Sequence, residues 1–348
     1  MVSLYVHIPF RASRDASAAS TVADAVIYEA THQVPRPLSD LDVGTLYIGG
    51  PRPSALPPAS LRSLVEDLHD HAGLAVPMEV TLELAPADAT PAMLRELREI
   101  GVTRLSVSAA SSGHTQWQAV DRARDAGFDA VSVDLVFGGA DSPLSRWKHT
   151  LYQAVDRALP HITLHEAESP SADDEASADC FAFAMGFLRA KGYEQYELTH
   201  FARPGARSTY QEHVYAHGDV LGLGPGAESF WWPDRTAAST ARRWSNVSDA
   251  TTYVTRVREG ASPVAHHEAF DWEALALEYI LLRLRTSEGL DLAVLEDHYR
   301  CPLRDRRGDT LDRLMTNGLI HDDPARVRLT PRGRLLADAV TQRLIRKQ

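Results

Sequence analysis

The chain has 348 residues, 24% charged and 44% hydrophobic, with a formal net charge of −11. That length supports a large core arranged as one large domain plus a small one. The acidic balance argues against a nucleic-acid footprint, and no run approaches the ~20 apolar residues of a membrane span.

In chain order, apolar strand-like runs alternate with amphipathic helix-like ones. Strands are predicted at 3–8, 45–49, 78–84, 103–108, 130–137, 161–165 and 193–198. Helices are predicted between them at 20–33, 58–72, 90–100, 115–126, 144–157 and 175–191. Each helix is long enough to cross over a sheet, so the repeat predicts a parallel sheet or barrel with helices outside and strand 3–8 first in the sheet. The helix at 90–100 has a clear start in Thr90 and Pro91 and a stop at Gly101. Residues 168–177 read as a solvated loop.

After about residue 235 the rhythm changes. Helices are expected at 275–284, 290–298 and 308–317. They are followed by a strand, a turn at Asp322-Asp323-Pro324, a second strand and a helix. That is a winged-helix pattern, read here as a packing or docking domain because no basic stripe accompanies it. The expected division is 1–235 and 236–348. The two cysteines, Cys180 and Cys301, sit far apart in helix-like contexts and read as buried thiols. No charged-then-apolar leader is visible, so a cytoplasmic location is expected.

The blocks LYVHIPF (4–10), TLYIGGPRPSAL (45–56), EVTLELAP (79–86), GVTRLSVS (101–108), AVSVDLVFG (130–138), GYEQYELTHFARPG (192–205), YAHGDVLGLGPGAESF (215–230) and RVRLTPRGRLL (326–336) follow one another in register. Together they resemble the radical S-adenosylmethionine (SAM) family of oxygen-independent coproporphyrinogen III oxidase and the haem chaperone HemW. The resemblance implies an α/β fold, an incomplete parallel (β/α) barrel with a C-terminal helical, winged-helix-like domain. It also implies a C-x3-C-x2-C loop after HIPF, whose thiolates hold a [4Fe–4S] cluster. Those positions fall on Arg11, Asp15 and Ala18. An all-cysteine cluster needs about four thiolates, or three plus an outside ligand, so the chain is expected to be a degenerate member with no iron–sulfur cluster and no radical chemistry.

The same resemblance assigns the remaining site. Tyr5, Gly49, Gly50, Glu83 and Asp134 match the SAM pocket, and Pro51 and Arg52 replace a glycine and a threonine of its turn. Gly222, Gly224 and Gly226 lie in the most intact block. A glycine run can bare backbone N–H groups to a carboxylate or phosphate, and a structural turn is the alternative reading. His165 and Glu166 end a strand on the pocket side and join Glu83 and Asp134 as candidate acid–base groups. Arg11, Arg52, Tyr210 and Glu228 are candidate substrate contacts, the two arginines filling the space of the cluster, with Asp15 or Glu83 as salt-bridge partners. The haem motif of the chaperone reads Tyr210 to Tyr215 here, leaving Tyr210, His213 or His217 as iron-ligand candidates. His213 and His217 read as surface residues and carry no metal assignment.

Three functions follow. The favoured one is a repurposed pocket that binds SAM or another small anionic ligand for polar chemistry. The others are a non-catalytic pseudoenzyme that scaffolds another protein, and a haem or tetrapyrrole carrier, with haem disfavoured. Expected partners are a small molecule and either a second copy of the chain or a partner enzyme.

Overall fold

A computed structural model describes residues 1–10, 16–72, 78–109, 113–139, 143–167 and 174–345. Arg11 and Asp15 lie outside the described residues. The first half is a run of strand–helix units: β1 (Val2–His7), α1 (Ala16–His32), β2 (Val43–Gly49), α2 (Pro58–Ala72), β3 (Glu79–Leu84), α3 (Pro91–Glu99), β4 (Arg104–Val107), α4 (Gly113–Asp125), β5 (Ala130–Phe137), α5 (Leu144–Asp156), β6 (His161–Glu166) and α6 (Asp174–Ala190). All six strands pair parallel and in chain order, which right-handed crossovers produce when every helix returns over the same face. The chain is therefore an α/β protein with a mostly parallel sheet.

Alternation along each strand decides what that sheet can do. Leu4, Val6, Leu46, Ile48, Val80, Leu82, Leu105, Val107, Val131, Val133, Ile162 and Leu164 point one way and are buried in the main core beneath the helices. Each such side chain contributes about 1.5–3 kcal/mol on burial. Their neighbours point the other way and are mostly polar: Tyr5, His7, Tyr47, Thr81, Glu83, Arg104, Ser106, Ser132, Asp134, His161, Thr163 and His165. The sheet curls around this second set, and residues of β2 to β6 line one cavity.

Both edges of the parallel run differ from expectation. β7 (Glu194–Gln195) and β8 (His200–Ala202) pair antiparallel, and β8 is antiparallel to β6. No seventh parallel strand forms over 193–198, because the chain turns back at Glu197 and ends that edge in a short hairpin. At the other edge β1 is not first. After α7 (Thr209–Tyr215), β9 (Asp219–Leu223) pairs parallel with β1. β10 (Glu228–Trp231), β11 (Arg242–Asn246) and, after α8 (Ala250–Arg258), β12 (Val264–Ala269) then extend the sheet antiparallel. The backbone edge of β1 is satisfied in this way rather than left open.

The sheet thus runs past residue 235 to Ala269. Beyond it stand α9 (Trp272–Leu284), β13 (Leu290–Asp291), α10 (Leu292–Tyr299), α11 (Leu303–Thr316), β14 (Arg326–Val327), α12 (Pro331–Leu335) and α13 (Ala337–Ile345). β13 pairs antiparallel with β14, and Ile320 bridges Leu329. The wing turn is fixed by Asp323, which accepts from the Ala325 and Arg326 amides. A second apolar core joins these helices to Phe230, Trp232, Ala238 and Ala241 from the sheet side.

Candidate functional site

The site is built from the inward residues at the carboxyl ends of β2 to β6. Glu83 is the best-held member. Its Oε1 accepts from the Tyr47 hydroxyl at 2.8 Å and its Oε2 from the Gly50 amide at 3.0 Å. Burial nevertheless pushes its carboxyl above the usual range; the two donors pull back, and Asp134 pushes the same way as burial. A Cβ on Gly49 would stand 2.9 Å from the Tyr47 ring, 3.0 Å from Tyr5 and 3.1 Å from Glu83 Oε1. Gly49 is therefore enclosed by two phenols and a carboxylate, with no room for a side chain.

Ser106 pairs with Glu83 across β3 and β4 and donates to Asp134 Oδ1 at 3.3 Å. His165 Nε2 stands 3.8 Å from the same oxygen with its side chain half-exposed, and Asp134 draws its ring pKa upward. Gln116 donates its amide to the Asp134 carbonyl at 2.7 Å and holds that strand end in place. Glu83, Asp134 and His165 therefore form one cluster, as expected. It is acidic, and its free acceptors suit a cationic or protic ligand group.

Several expected members are elsewhere. Glu166 follows His165 by one residue, so its side chain leaves the opposite face of β6. It accepts from Ser177 of α6 at 2.5 Å and does not belong to this cluster. Arg52 does not bridge to Glu83. Its Nε and Nη2 hold Asp88 at 2.9 and 2.5 Å, and Ser54 supports the same carboxylate at 2.7 Å. Glu228 is exposed at the start of β10. Arg11 lies outside the described residues. Ala18 is exposed on α1.

The glycine run is a structural turn. Gly222 donates its amide to Ser229 Oγ at 2.8 Å, Gly224 to Glu29 Oε2 at 2.9 Å and Gly226 to the Val247 carbonyl at 2.9 Å. No glycine amide of the run is left for a ligand carboxylate. Gly224 has φ +102, and a Cβ there would lie 2.5 Å from the His7 carbonyl oxygen. His7 Nδ1 in turn meets the Pro225 carbonyl at 2.6 Å. The run therefore props the end of β1 from behind.

The iron-ligand candidates are also engaged. The Tyr210 ring stands 4.6 Å from Tyr47 and 6.4 Å from Tyr5, and burial raises its phenol pKa, which opposes a phenolate. His213 Nε2 meets the Asp219 carbonyl at 2.9 Å. His217, read from sequence as a surface residue, is buried with φ +60. Its Nδ1 meets Tyr299 Oη at 3.0 Å and its ring stacks 4.4 Å from Phe230. The aromatic layer between sheet and C-terminal helices accounts for that burial. Cys180 and Cys301 are buried in the two different cores.

Sequence reasoning missed the floor of the cavity. Thr81, Arg104, Ser132, His161 and Thr163 face inward below the acidic cluster. Arg104 donates to Glu79 at 3.0 Å and to the Ala206 and Arg207 carbonyls at 3.2 and 2.8 Å. Glu79 accepts from Ser208 Oγ and the Tyr210 amide, so the segment 206–215 crosses under the barrel and closes it. The signal was present as polar residues every second position in EVTLEL, RLSV, SVDL and HITLHE, where a strand buried on both faces would read as continuously apolar.

Residues 271–336 match the family model of the HemN C-terminal domain. The chain is 28% identical to the heme chaperone HemW of Mycobacterium tuberculosis, over 87% of this chain and 81% of that protein. It is 25% identical to HemW of Bacillus subtilis over 86% of this chain and 84% of the relative. It is 27% identical to HemW of Escherichia coli over 65% of this chain and 69% of the relative. The solved structure of E. coli coproporphyrinogen III oxidase (HemN), described as a radical SAM enzyme, superposes with a TM-score of 0.80 at 19% identity. That match covers 99% of this chain and 89% of that one.

Proposed function

We propose that this chain is a member of the family of HemN radical SAM enzymes and HemW haem chaperones, and that its barrel mouth binds SAM, or a ligand of like charge, for polar rather than radical chemistry. The donor set does not fit an iron–sulfur cluster: the sequence holds two cysteines, buried in separate cores, and the positions matching the cluster loop are Arg11, Asp15 and Ala18. The observation that carries the reading is the Glu83–Ser106–Asp134–His165 cluster on the cavity at the barrel mouth.

In this reading Glu83 faces the positive charge of SAM across the cavity, with Tyr47 as a wall. When bound, SAM supplies carbons made electrophilic by the sulfonium. The chain's own residues do the rest. Tyr47 and the Gly50 amide fix the Glu83 carboxylate. Asp134 faces His165 Nε2, and the half-exposed ring takes or gives a proton at its other nitrogen, Nδ1. The acidic mouth disfavours the small anionic ligand expected from sequence, since the glycine amides and Arg52 are committed elsewhere.

Calorimetric titration of the whole protein with SAM and with S-adenosylhomocysteine, which lacks the sulfonium charge, tests this. SAM should bind more tightly, and Glu83→Gln should weaken it by tenfold or more, about 1.4 kcal/mol of a charged contact. Equal binding of the two, or of wild type and variant, overturns the charge argument. Stoichiometric haem with a sharp Soret band would move the reading to a haem-binding protein like the HemW relatives, which are named haem chaperones. Stoichiometric iron and sulfide after anaerobic reconstitution would restore a cluster.

A further inference from the structure

Below the acidic cluster the barrel carries a second polar row. Thr81 pairs with Arg104 across β3 and β4, and Ser132 with His161 across β5 and β6. Arg104 joins the halves, its Nη1 reaching Ser132 Oγ at 3.5 Å. All four residues are buried and line the same cavity as Glu83 and Asp134. Thr81 and Ser132 are two residues before Glu83 and Asp134 in their strands, which sets the row roughly 7 Å deeper.

The two rows have opposite hydrogen-bonding character. The upper one presents carboxylate acceptors. In the lower one the Tyr196 hydroxyl lies 2.7 Å from His161 Nε2. Burial, with His200 and Arg104 nearby, keeps the His161 ring neutral. With the phenol donating to Nε2, the one ring hydrogen sits on Nδ1. Among the described residues that Nδ1 has no acceptor and Thr81 Oγ1 has no partner, although both are shielded from water. Buried polar groups are rarely left unpaired in this way. Arg104 adds a guanidinium whose Nη1, among the described residues, has only the long contact to Ser132.

We infer that the lumen receives a small amino-carboxylate lengthwise, its carboxylate on the Thr81–Arg104–Ser132–His161 row and its ammonium against Asp134. This rests on the reading that the mouth is in use, and it names the class of the second substrate. The cavity, about 300 Å³, is at the small end of ligand sites. An amine alone would leave the lower row unpaired, and a carboxylate alone would meet the acidic row on the way in.

The test is calorimetric titration of the full-length protein with the L-amino acids and with ω-amino acids of three to six carbons. Each is run beside the simple amine and the simple carboxylate that it combines. At least one amino acid should bind, with its matched halves tenfold weaker or more. Thr81→Val should lose about tenfold, the effect of one hydrogen bond, while Thr81→Ser retains binding and both keep wild-type affinity for SAM. Failure of every amino acid in the panel, or equal binding by wild type and Thr81→Val, overturns the inference. SAM binding without amino-acid binding sinks this inference alone; the reverse sinks only the reading of the mouth.

Discussion

The acidic cluster and the glycine-rich turn make an instructive pair, because both were expected from sequence to line one pocket and their polar groups have opposite fates. In the turn, the amides of Gly222, Gly224 and Gly226 all go to protein acceptors. Glu29, buried on α1, gathers Gly224, Asn246 Nδ2 at 2.7 Å and the Tyr253 hydroxyl at 2.6 Å, tying turn, β11 and α8 together. In the cluster, Asp134 has among the described residues only Ser106 and a distant His165 for its carboxylate, and it lines an open cavity. The difference teaches where to look for function. A polar group already satisfied by the fold contributes to stability, and one held in place with acceptor capacity to spare can meet a ligand.

The sharpest way to break this comparison is Gly224→Ala. The added Cβ meets the His7 carbonyl on a left-handed backbone, and the variant should lose about 3 kcal/mol or more in urea unfolding. Whatever remains folded should bind SAM as wild type does. A stable variant that no longer binds would place the turn in the site.

A smaller effect comes from Glu29, whose carboxyl burial pushes up to about 7 against the three donors it accepts from. Its folded pKa lies above the ordinary value of 4.5, so between those values the folded state holds more protons than the unfolded one. Stability from this group is greatest below about pH 4.5 and falls as pH rises towards about 7. The change should be of order 2–3 kcal/mol, at about 1.4 kcal/mol per pKa unit. Comparing wild type with Glu29→Gln in urea at about pH 5 and pH 7.5 should show the difference shifting towards the glutamine variant at the higher pH. A constant difference would mean Glu29 stays ionised throughout.

Arg52→Ala should be the mildest. It removes a partly exposed bidentate pair with Asp88, costing about 1–2 kcal/mol, and should leave SAM affinity alone. Lost affinity with stability kept would return Arg52 to the mouth.

Much of this was legible from residues alone. Six strand–helix units appear where the apolar runs placed them, because each strand's outward face is a stripe of Val, Leu and Ile that must be covered. Glu83, Asp134 and His165 were found together because strand ends share one rim. The sequence could not say that 193–198 turns back, since that depends on Glu197. Its buried carboxylate takes the Thr199 amide at 2.7 Å and the Arg285 guanidinium at 2.7 Å. Arg285 belongs to a segment far along the chain.

Local pattern determined the period of each element and the polar inner face of the strands, and the letters alone put Arg11, Asp15 and Ala18 where cysteines were expected. Tertiary structure decided which polar groups remain available. Glu166 looks like His165's partner in a string of letters, yet the pleat sends it to α6. The glycine run looks like an anion cradle, yet Glu29, Ser229 and the Val247 carbonyl take its amides. Hydrogen-bond partners are chosen by distance in space, so whether a donor is spent or free is a property of the packed molecule and not of its own neighbours in sequence.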